Sequence, residues 1–154
     1  MVVVAIIGLI MAAGIPSLYG LFHKEGLRKS MSDLIDTCQS ARRAAIMSGQ
    51  TADLVIHPRA GTLEVSGGNG KFGGQVHSAK LEGVKIWGIE LNNDSSKDYS
   101  TFEEVRVHFF PNGTSEEMTM ILAADNNEMK GITLDIMTGL PVLMTPDDIN
   151  ALHH

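Results

Sequence analysis

The chain has 154 residues, of which 44% are hydrophobic and 19% charged, and its formal net charge is -6. This composition excludes a disordered or low-complexity protein. The acidic balance argues against a non-specific nucleic-acid binder, which needs a basic surface. About 130 residues follow the first apolar segment, enough for one compact domain. The single cysteine, Cys38, cannot form an internal disulfide, and we interpret it as a small packing residue on a helix.

The first 22 residues, MVVVAIIGLIMAAGIPSLYGLF, carry no formal charge. As a helix that rises about 1.5 Å per residue they would extend about 33 Å, enough to cross a bilayer core. We therefore predict a transmembrane helix over residues 1–23. A buried core helix is rarely apolar on every face over this length. A cleaved secretory signal would have Lys or Arg ahead of the apolar run.

Proline and glycine interrupt this apolar helix. Pro16 removes a backbone donor, so a kink or local melting is expected near residues 14–16. Gly8, Gly14 and Gly20 provide small surfaces that a second helix could approach closely. We assign the membrane or assembly helix to Val2, Val3, Val4, Ile6, Ile7, Gly8, Leu9, Ile10, Gly14, Pro16 and Leu18.

The charges after the apolar run give a prediction of orientation. The nearest basic residues are Lys24, Arg28 and Lys29. By the positive-inside rule, these residues alone would keep the following domain in the cytoplasm. Basic residues ahead of the helix would reverse that orientation.

Residues 24–49 have the periodicity of an amphipathic helix. Apolar residues recur at spacings of three and four, which places them on one face. The predicted helix–sheet packing residues are Leu27, Met31, Leu34, Cys38, Ala41 and Ala45. Gly49 is the predicted stop, and Arg42 and Arg43 lie near the helix end, where positive charge suits the helix dipole. Because no helix breaker separates residues 24–49 from the apolar helix, the two could form a single rod.

The sequence after Gly49 predicts short strands. They cover residues 52–57, 62–66, 84–89, 105–110, 118–122, 131–135 and 140–144. The segment Pro111-Asn112-Gly113-Thr114 predicts a tight hairpin turn, because Asn-Gly readily adopts positive φ angles. No element is predicted after residue 145. The predicted fold class is α+β: a long apolar-then-amphipathic helix packed on antiparallel β-sheets, with a β-rich domain over residues 50–154.

No catalytic or cofactor-binding pattern is supported by the sequence. Residues 68–73 match GxGxxG, but they lack the strand-to-helix context of a dinucleotide site, so we interpret them as a glycine-rich loop. The six histidines have no metal-ligand spacing. Adjacent glutamates at 103–104 and at 116–117 would point to opposite faces of a strand and cannot act together as a catalytic pair. We therefore predict no enzymatic activity, no cofactor and no metal.

Several segments resemble one protein family. Residues 2–10, with Ala12-Ala13 and Ile15-Pro16, resemble the start of type IV pilins and type II secretion pseudopilins after their leader motif. The remaining segments resemble the H-type minor pseudopilins, a group that includes T-type fimbrial pilins. These segments are residues 41–45 (ARRAA), 57–58 (HP) followed by Gly61, 109–114 (FFPNGT), and 131–134 (GITL) with Thr138-Gly139.

The resemblance implies a structural subunit of the type II secretion pseudopilus, which exports folded proteins across the outer membrane. The apolar helix would cross the bacterial inner membrane once, with the domain in the periplasm, and would later enter the core of a filament. A basic leader ahead of residue 1 would hold the N-terminus in the cytoplasm. The implied partners are other pseudopilins in a hetero-oligomeric filament, the inner-membrane assembly platform, membrane lipid before assembly, and secreted substrate. The peptidase site and the methylated amine of the family are not carried over, because their residues precede the position that Met1 matches.

Two alternatives come from other classes of protein. A T-type fimbrial minor pilin would act in pilus assembly or capture DNA during its uptake. DNA capture would need a basic exposed patch, whereas Lys130 is the only Lys or Arg from Glu116 onward. We therefore expect no nucleic-acid partner. A membrane-anchored enzyme would need a catalytic constellation, which the sequence does not supply.

Overall fold

The computed structural model describes residues 2–67, 77–92, 94 and 99–152, except for the side chains of residues 8–24. Within this part of the chain, a long N-terminal helix is followed by two four-stranded sheets and a short helix. The elements are α1 (Val2–Ser48), β1 (Ala52–His57), β2 (Thr62–Gly67), β3 (Ser78–Lys80), β4 (Val84–Leu91), a 3₁₀ helix (Tyr99–Thr101), β5 (Val105–Phe109), β6 (Met118–Ala124), β7 (Met129–Leu134), β8 (Pro141–Leu143) and α2 (Pro146–Ala151). Every strand pairing among these elements is antiparallel. The predicted α+β class is confirmed.

α1 is one continuous helix, as the absence of a breaker between the apolar segment and residues 24–49 predicted. It ends where Gly49 takes a φ of 67° and donates its N–H to the carbonyl oxygen of Ala45 at 3.0 Å. A residue with a Cβ would be strained in this left-handed conformation, which explains the glycine. The predicted kink at Pro16 and most of the predicted membrane span fall on residues 8–24, whose side chains lie outside the description. Among the residues described in full, no helix is long and apolar enough to cross a membrane.

The C-terminal half of α1 lies in the hydrophobic core and contacts strands of both sheets. The six residues that the periodicity placed on one face are all buried: Leu27, Met31, Leu34, Cys38, Ala41 and Ala45. The last three have small side chains, so the strands can approach the helix axis closely at this end. The helix is therefore held by the sheets along its second half.

Sheet I has the strand order β3-β2-β1-β5. Its central strand β1 pairs Leu54 with Val65 on one side and with Val107 on the other. Leu54 and Val107 are fully buried, whereas Asp53 and His108 of the same strands are only partly buried. This alternation places an apolar face on the core and a polar face toward solvent.

Sheet II has the strand order β4-β6-β7-β8. Its strand β6 is buried on both faces at its centre, because Met120, Ile121 and Leu122 are each at most 3% exposed. On the outer face, Ile121 pairs with two glycines, Gly88 of β4 and Gly131 of β7. The glycines leave room there for side chains from the C-terminal segment that crosses this face.

The predicted turn at residues 111–114 is confirmed, and it closes a short antiparallel hairpin: Phe109 and Ser115 form a β-bridge, and the Phe110 N–H donates to the Thr114 carbonyl at 2.9 Å. β5 pairs with β1, whereas β6 pairs with β4 and β7, so the turn between β5 and β6 crosses from sheet I to sheet II. The turn is closed by a 3.0 Å hydrogen bond from the Gly113 N–H to the Phe110 carbonyl, and Gly113 has a φ of 87°. Pro111 fixes its φ near about -65°, which suits an ordinary β-turn followed by a left-handed glycine, a common three-residue hairpin loop, rather than the mirror-image two-residue turn.

The described residues contain three elements that the sequence did not predict: β3, the 3₁₀ helix and α2. Thr145 begins α2 with a capping box: its hydroxyl accepts from the Asp148 N–H at 3.3 Å, and the Asp148 carboxylate accepts from the Thr145 N–H at 3.0 Å. The hydroxyl of Thr145, and then its N–H, lower the pKa of Asp148 by hydrogen bonding. Pro146 favours the first helical turn, and Ile149 is buried against the domain.

Candidate assembly site

The first residues of α1 expose a set of large aliphatic side chains. The described members of the predicted assembly helix are from 53% to 74% exposed: Val2, Val3, Val4, Ile6 and Ile7. Transfer of each of these side chains from water into lipid or a protein interior would be favourable by about 1.5–3 kcal/mol. The side chains of the other members lie outside the description: Gly8, Leu9, Ile10, Gly14, Pro16 and Leu18. A contiguous exposed apolar surface of this kind marks a contact with protein or membrane.

The first contacts between α1 and the rest of the domain lie near Gly26 and Ser30. The loop before β4 packs closely here, because a Cβ built on Gly26 would lie 3.4 Å from the carbonyl oxygen of Glu82. The Ser30 hydroxyl donates to the same carbonyl at 3.2 Å. Lys29 adds an exposed ion pair with the Glu82 carboxylate at 3.9 Å, which contributes little by itself. These contacts mark the N-terminal limit of the half of α1 that packs against the domain.

At the other end of the helix, Arg42 contacts two turns at once. Its Nε–H donates to the Thr138 carbonyl at 2.7 Å and to the Gly113 carbonyl at 3.3 Å. The two turns also touch each other: a Cβ built on Gly139 would lie 2.6 Å from the Gly113 oxygen. Only glycine fits at position 139, because its φ of 62° is also in the left-handed region. The turn from sheet I to sheet II and the β7–β8 turn are thus both fixed to α1.

A group of polar and charged side chains lies on the outer face of sheet I. His108 Nδ1 is 2.7 Å from Glu116 Oε2, and His108 Nε2 is 3.7 Å from Asp53 Oδ1. Arg106 lies beside both Asp53 and Glu104. One glutamate of each adjacent pair is therefore engaged here, Glu104 with Arg106 and Glu116 with His108. Sequence reasoning missed the group because the register of β1 against β5 brings Asp53 and His108 together.

The sequence matches no protein-family profile and no curated protein. Solved structures match the fold. The minor pseudopilin EpsH from the type II secretion system of Vibrio cholerae has a TM-score of 0.57 at 17% identity, over 81% of this chain and 96% of that chain. The type IV minor pilin FimU of Pseudomonas aeruginosa has a TM-score of 0.56 at 13% identity, over 79% of this chain and 90% of that chain. The chain has a pilin-like fold.

The pilin-like fold buries the single cysteine in the hydrophobic core. Cys38 lies on the buried face of α1, and burial raises the pKa of its thiol from 9.0 to about 12. A thiol without access to its thiolate form is a poor nucleophile and a poor metal ligand. In the part of the chain that the structure describes, no set of three or more His, Cys, Asp or Glu side chains converges on a metal position. The GxGxxG match at residues 68–73 lies outside the described residues.

Proposed function

We propose that this chain is a minor pseudopilin, a structural subunit of the type II secretion pseudopilus that serves the export of folded proteins across the outer membrane. The observation that carries the proposal is the division of α1 into two parts. The buried face of α1 from Leu27 onward packs into the core, whereas the domain does not cover the described side chains from Val2 to Ile7. A helix of this kind can leave lipid and enter a bundle of like helices without any change in the domain.

The proposed cycle begins with the subunit in the bacterial inner membrane, with one pass of α1 through the lipid and the domain in the periplasm. The subunit then enters a filament with other pseudopilins, where neighbouring helices replace lipid around the apolar residues. Helices in such surroundings associate through close packing and small residues, for which Gly8 and Gly14 are suited. A separate cytoplasmic motor would supply the energy, and the domain would face other subunits or the secreted substrate. We propose no enzymatic activity for the chain.

A second candidate function is that of a type IV minor pilin in pilus assembly or DNA uptake. The likeness to FimU favours it as directly as the likeness to EpsH favours the first. The charge distribution supports the pseudopilin, because the chain from Glu116 to the C-terminus contains Lys130 as its only Lys or Arg. DNA capture depends on Lys and Arg contacts to phosphate.

Complementation separates the two functions. The chain is expressed behind the leader of the replaced subunit in two bacterial strains, one that lacks its H-type minor pseudopilin and one that lacks its T-type minor pilin. We expect it to restore secretion of a folded enzyme to the medium in the first strain and to leave the second without pili or DNA uptake. Restored piliation without restored secretion would establish the second function.

Matched substitutions on α1 test the proposed assembly helix. Ile7→Asp places a charge among the exposed apolar residues and is expected to abolish secretion. Met47→Asp is the control, because Met47 lies on the same helix and is 56% exposed but lies at the end held by the domain. Equal secretion by the two variants would contradict the assignment of the first part of α1 to assembly.

A fusion tests the proposed location. Alkaline phosphatase joined after residue 154 becomes active only where its disulfides form, which is outside the cytoplasm. We expect an active fusion that sediments with the membranes. An inactive fusion would mean that the domain remains in the cytoplasm, the orientation that Lys24, Arg28 and Lys29 alone would favour.

A further inference from the structure

The edge strand β8 borders an open apolar groove of about 470 Å³. Val142 and Leu143 on this strand are 55% and 61% exposed, and Ile136 and Met137 in the preceding turn are 49% and 78% exposed. All four side chains line the groove, which we call the β8 groove. Monomeric proteins seldom expose several large apolar side chains together, and such a patch marks a binding surface.

The polar lining of the β8 groove is acidic. Among the residues that the structure describes, Glu117, Asp135 and Asp148 contribute to it, and no Lys or Arg does. Two of these carboxylates are fixed in place: Asp135 accepts from the Met137 N–H at 2.8 Å, and Asp148 accepts from the Thr145 hydroxyl at 2.6 Å. The groove therefore combines an apolar floor with a rim of negative charge. A ligand complementary to this groove is apolar with flanking positive charge.

The backbone of β8 favours an extended ligand. Hydrogen bonds join the Asp135 N–H to the Leu140 carbonyl and the Met144 N–H to the Gly131 carbonyl. In an antiparallel pair, bonded and non-bonded positions alternate, so the backbone groups of Pro141 and Leu143 point away from β7. Because Pro141 has no N–H, the groups that point outward are the Pro141 carbonyl, the Leu143 N–H and the Leu143 carbonyl. This edge can pair with one short strand but cannot extend a sheet freely.

We propose that the β8 groove binds an extended segment of another protein in which two or three apolar residues are flanked by Lys or Arg. The strand edge would supply main-chain hydrogen bonds, the exposed apolar side chains would supply most of the affinity, and the acidic rim would select the charge of the ligand. A second copy of this chain fits poorly, because a two-fold contact between the same grooves would bring their acidic rims together. The inference does not depend on the proposed role of α1.

Binding is tested with two fluorescent peptides of reversed charge. The full chain is held in phosphatidylcholine nanodiscs, and anisotropy is measured with Lys-Thr-Val-Leu-Val-Thr-Lys and with Glu-Thr-Val-Leu-Val-Thr-Glu. We expect the basic peptide to bind at least about tenfold more tightly than the acidic one, and the difference to shrink as salt screens the rim. Equal affinity for the two peptides, or binding of neither, would overturn the proposal.

Paired variants locate the binding site. Met137→Ser is expected to weaken binding of the basic peptide about tenfold, whereas Met47→Ser, which changes an exposed methionine outside the groove, leaves it unchanged. Glu117→Gln is expected to weaken the preference for the basic peptide, and Glu64→Gln on the exposed face of β2 is its control. Circular dichroism verifies that each variant is folded. If Met137→Ser binds the basic peptide as tightly as the parent chain does, the β8 groove is not the binding site. If the parent chain forms a concentration-dependent dimer that Leu143→Ser removes, the occupant is a second copy of this chain and the proposed occupant is wrong.

Discussion

The Nε–H of Arg42 lies 2.7 Å from the carbonyl oxygen of Thr138, a residue 96 positions later in the chain. The same N–H also reaches the carbonyl of Gly113 at 3.3 Å. One side chain on the helix therefore fixes both the turn from sheet I to sheet II and the turn between β7 and β8. This arrangement holds the C-terminal end of α1 in a defined position against both sheets.

We expect Arg42→Met to lower the free energy of unfolding by about 1–3 kcal/mol, because two carbonyls lose a charged donor. The matched control is Arg43→Met, which removes the same charge from an exposed neighbouring position and is expected to change stability by less than about 0.5 kcal/mol. Urea unfolding of the full chain in a mild detergent measures both values. Similar losses in the two variants would show that charge, not the hydrogen bonds, accounts for the effect.

Gly139→Ala is expected to destabilise the chain far more than Gly49→Ala. Both glycines have a left-handed φ, 62° and 67°, so each substitution carries a strain of about 1–2 kcal/mol. At position 139 the new Cβ would also lie 2.6 Å from the Gly113 oxygen, whereas at position 49 it meets nothing within 4 Å. We expect the difference between the two variants to be about 1–3 kcal/mol, and thermal unfolding measures it. Equal losses would mean that the two turns can separate freely.

Cys38 gives the domain a defined loss of stability at high pH. Its thiol ionises near pH 9.0 when unfolded and, because burial raises its pKa, only near about 12 when folded. Between these values the unfolded state releases a proton that the folded state keeps, so the free energy of unfolding falls as pH rises, by about 1.4 kcal/mol per pH unit. Below pH 9.0 this contribution is constant.

Cys38→Ala isolates this contribution from other groups that titrate at high pH. We expect the parent chain to lose about 1.4 kcal/mol more than the variant between pH 8 and pH 10, as measured by urea unfolding at the two pH values. Parallel losses in the parent and the variant would show that the thiol reaches solvent in the folded state.

Glu116 is expected to stabilise the junction between the sheets. One of its carboxylate oxygens accepts from the His108 N–H at 3.0 Å and lies 2.7 Å from His108 Nδ1. Removal of both contacts by Glu116→Ala should cost about 1–2 kcal/mol. Glu117→Ala, the adjacent control, should change stability by less than about 0.5 kcal/mol. Hydrogen exchange at the His108 amide provides a local readout, and unchanged protection in Glu116→Ala would contradict this role.

The sequence predicted the features that depend on local patterns. The spacing of apolar residues identified the buried face of α1, Gly49 identified its end, and the strand patterns identified every strand of the two sheets except β3. Sheet membership was not predictable in the same way, because the pairing of β5 with β1 joins segments about fifty residues apart through a long-range register. β3 has three residues and gives too short a pattern to detect. The capping signal of Thr145 and Asp148 was present in the sequence, but it begins a helix of only six residues.

The candidate site was predictable in composition but not in its contacts. The apolar character of residues 2–7 was evident from their letters alone. Arg42 was assigned to the helix dipole, whereas its side chain binds two turns distant in sequence. The β8 groove depends on the arrangement of the β7–β8 turn beside α2, which no local pattern encodes.

The interleaving of the two sheets has a consequence for how the chain acquires its structure. β4 belongs to sheet II, but β5, which follows it, completes sheet I. As the chain emerges, on the periplasmic side in the proposed topology, β1 therefore keeps an unpaired edge until β5 is available, and β4 keeps an unpaired edge until β6 is available. Such distant pairings slow folding and leave open edges that invite association with other chains. We expect this domain to fold late and as a single unit, so a chain truncated ahead of residue 105 would aggregate rather than form half of the structure.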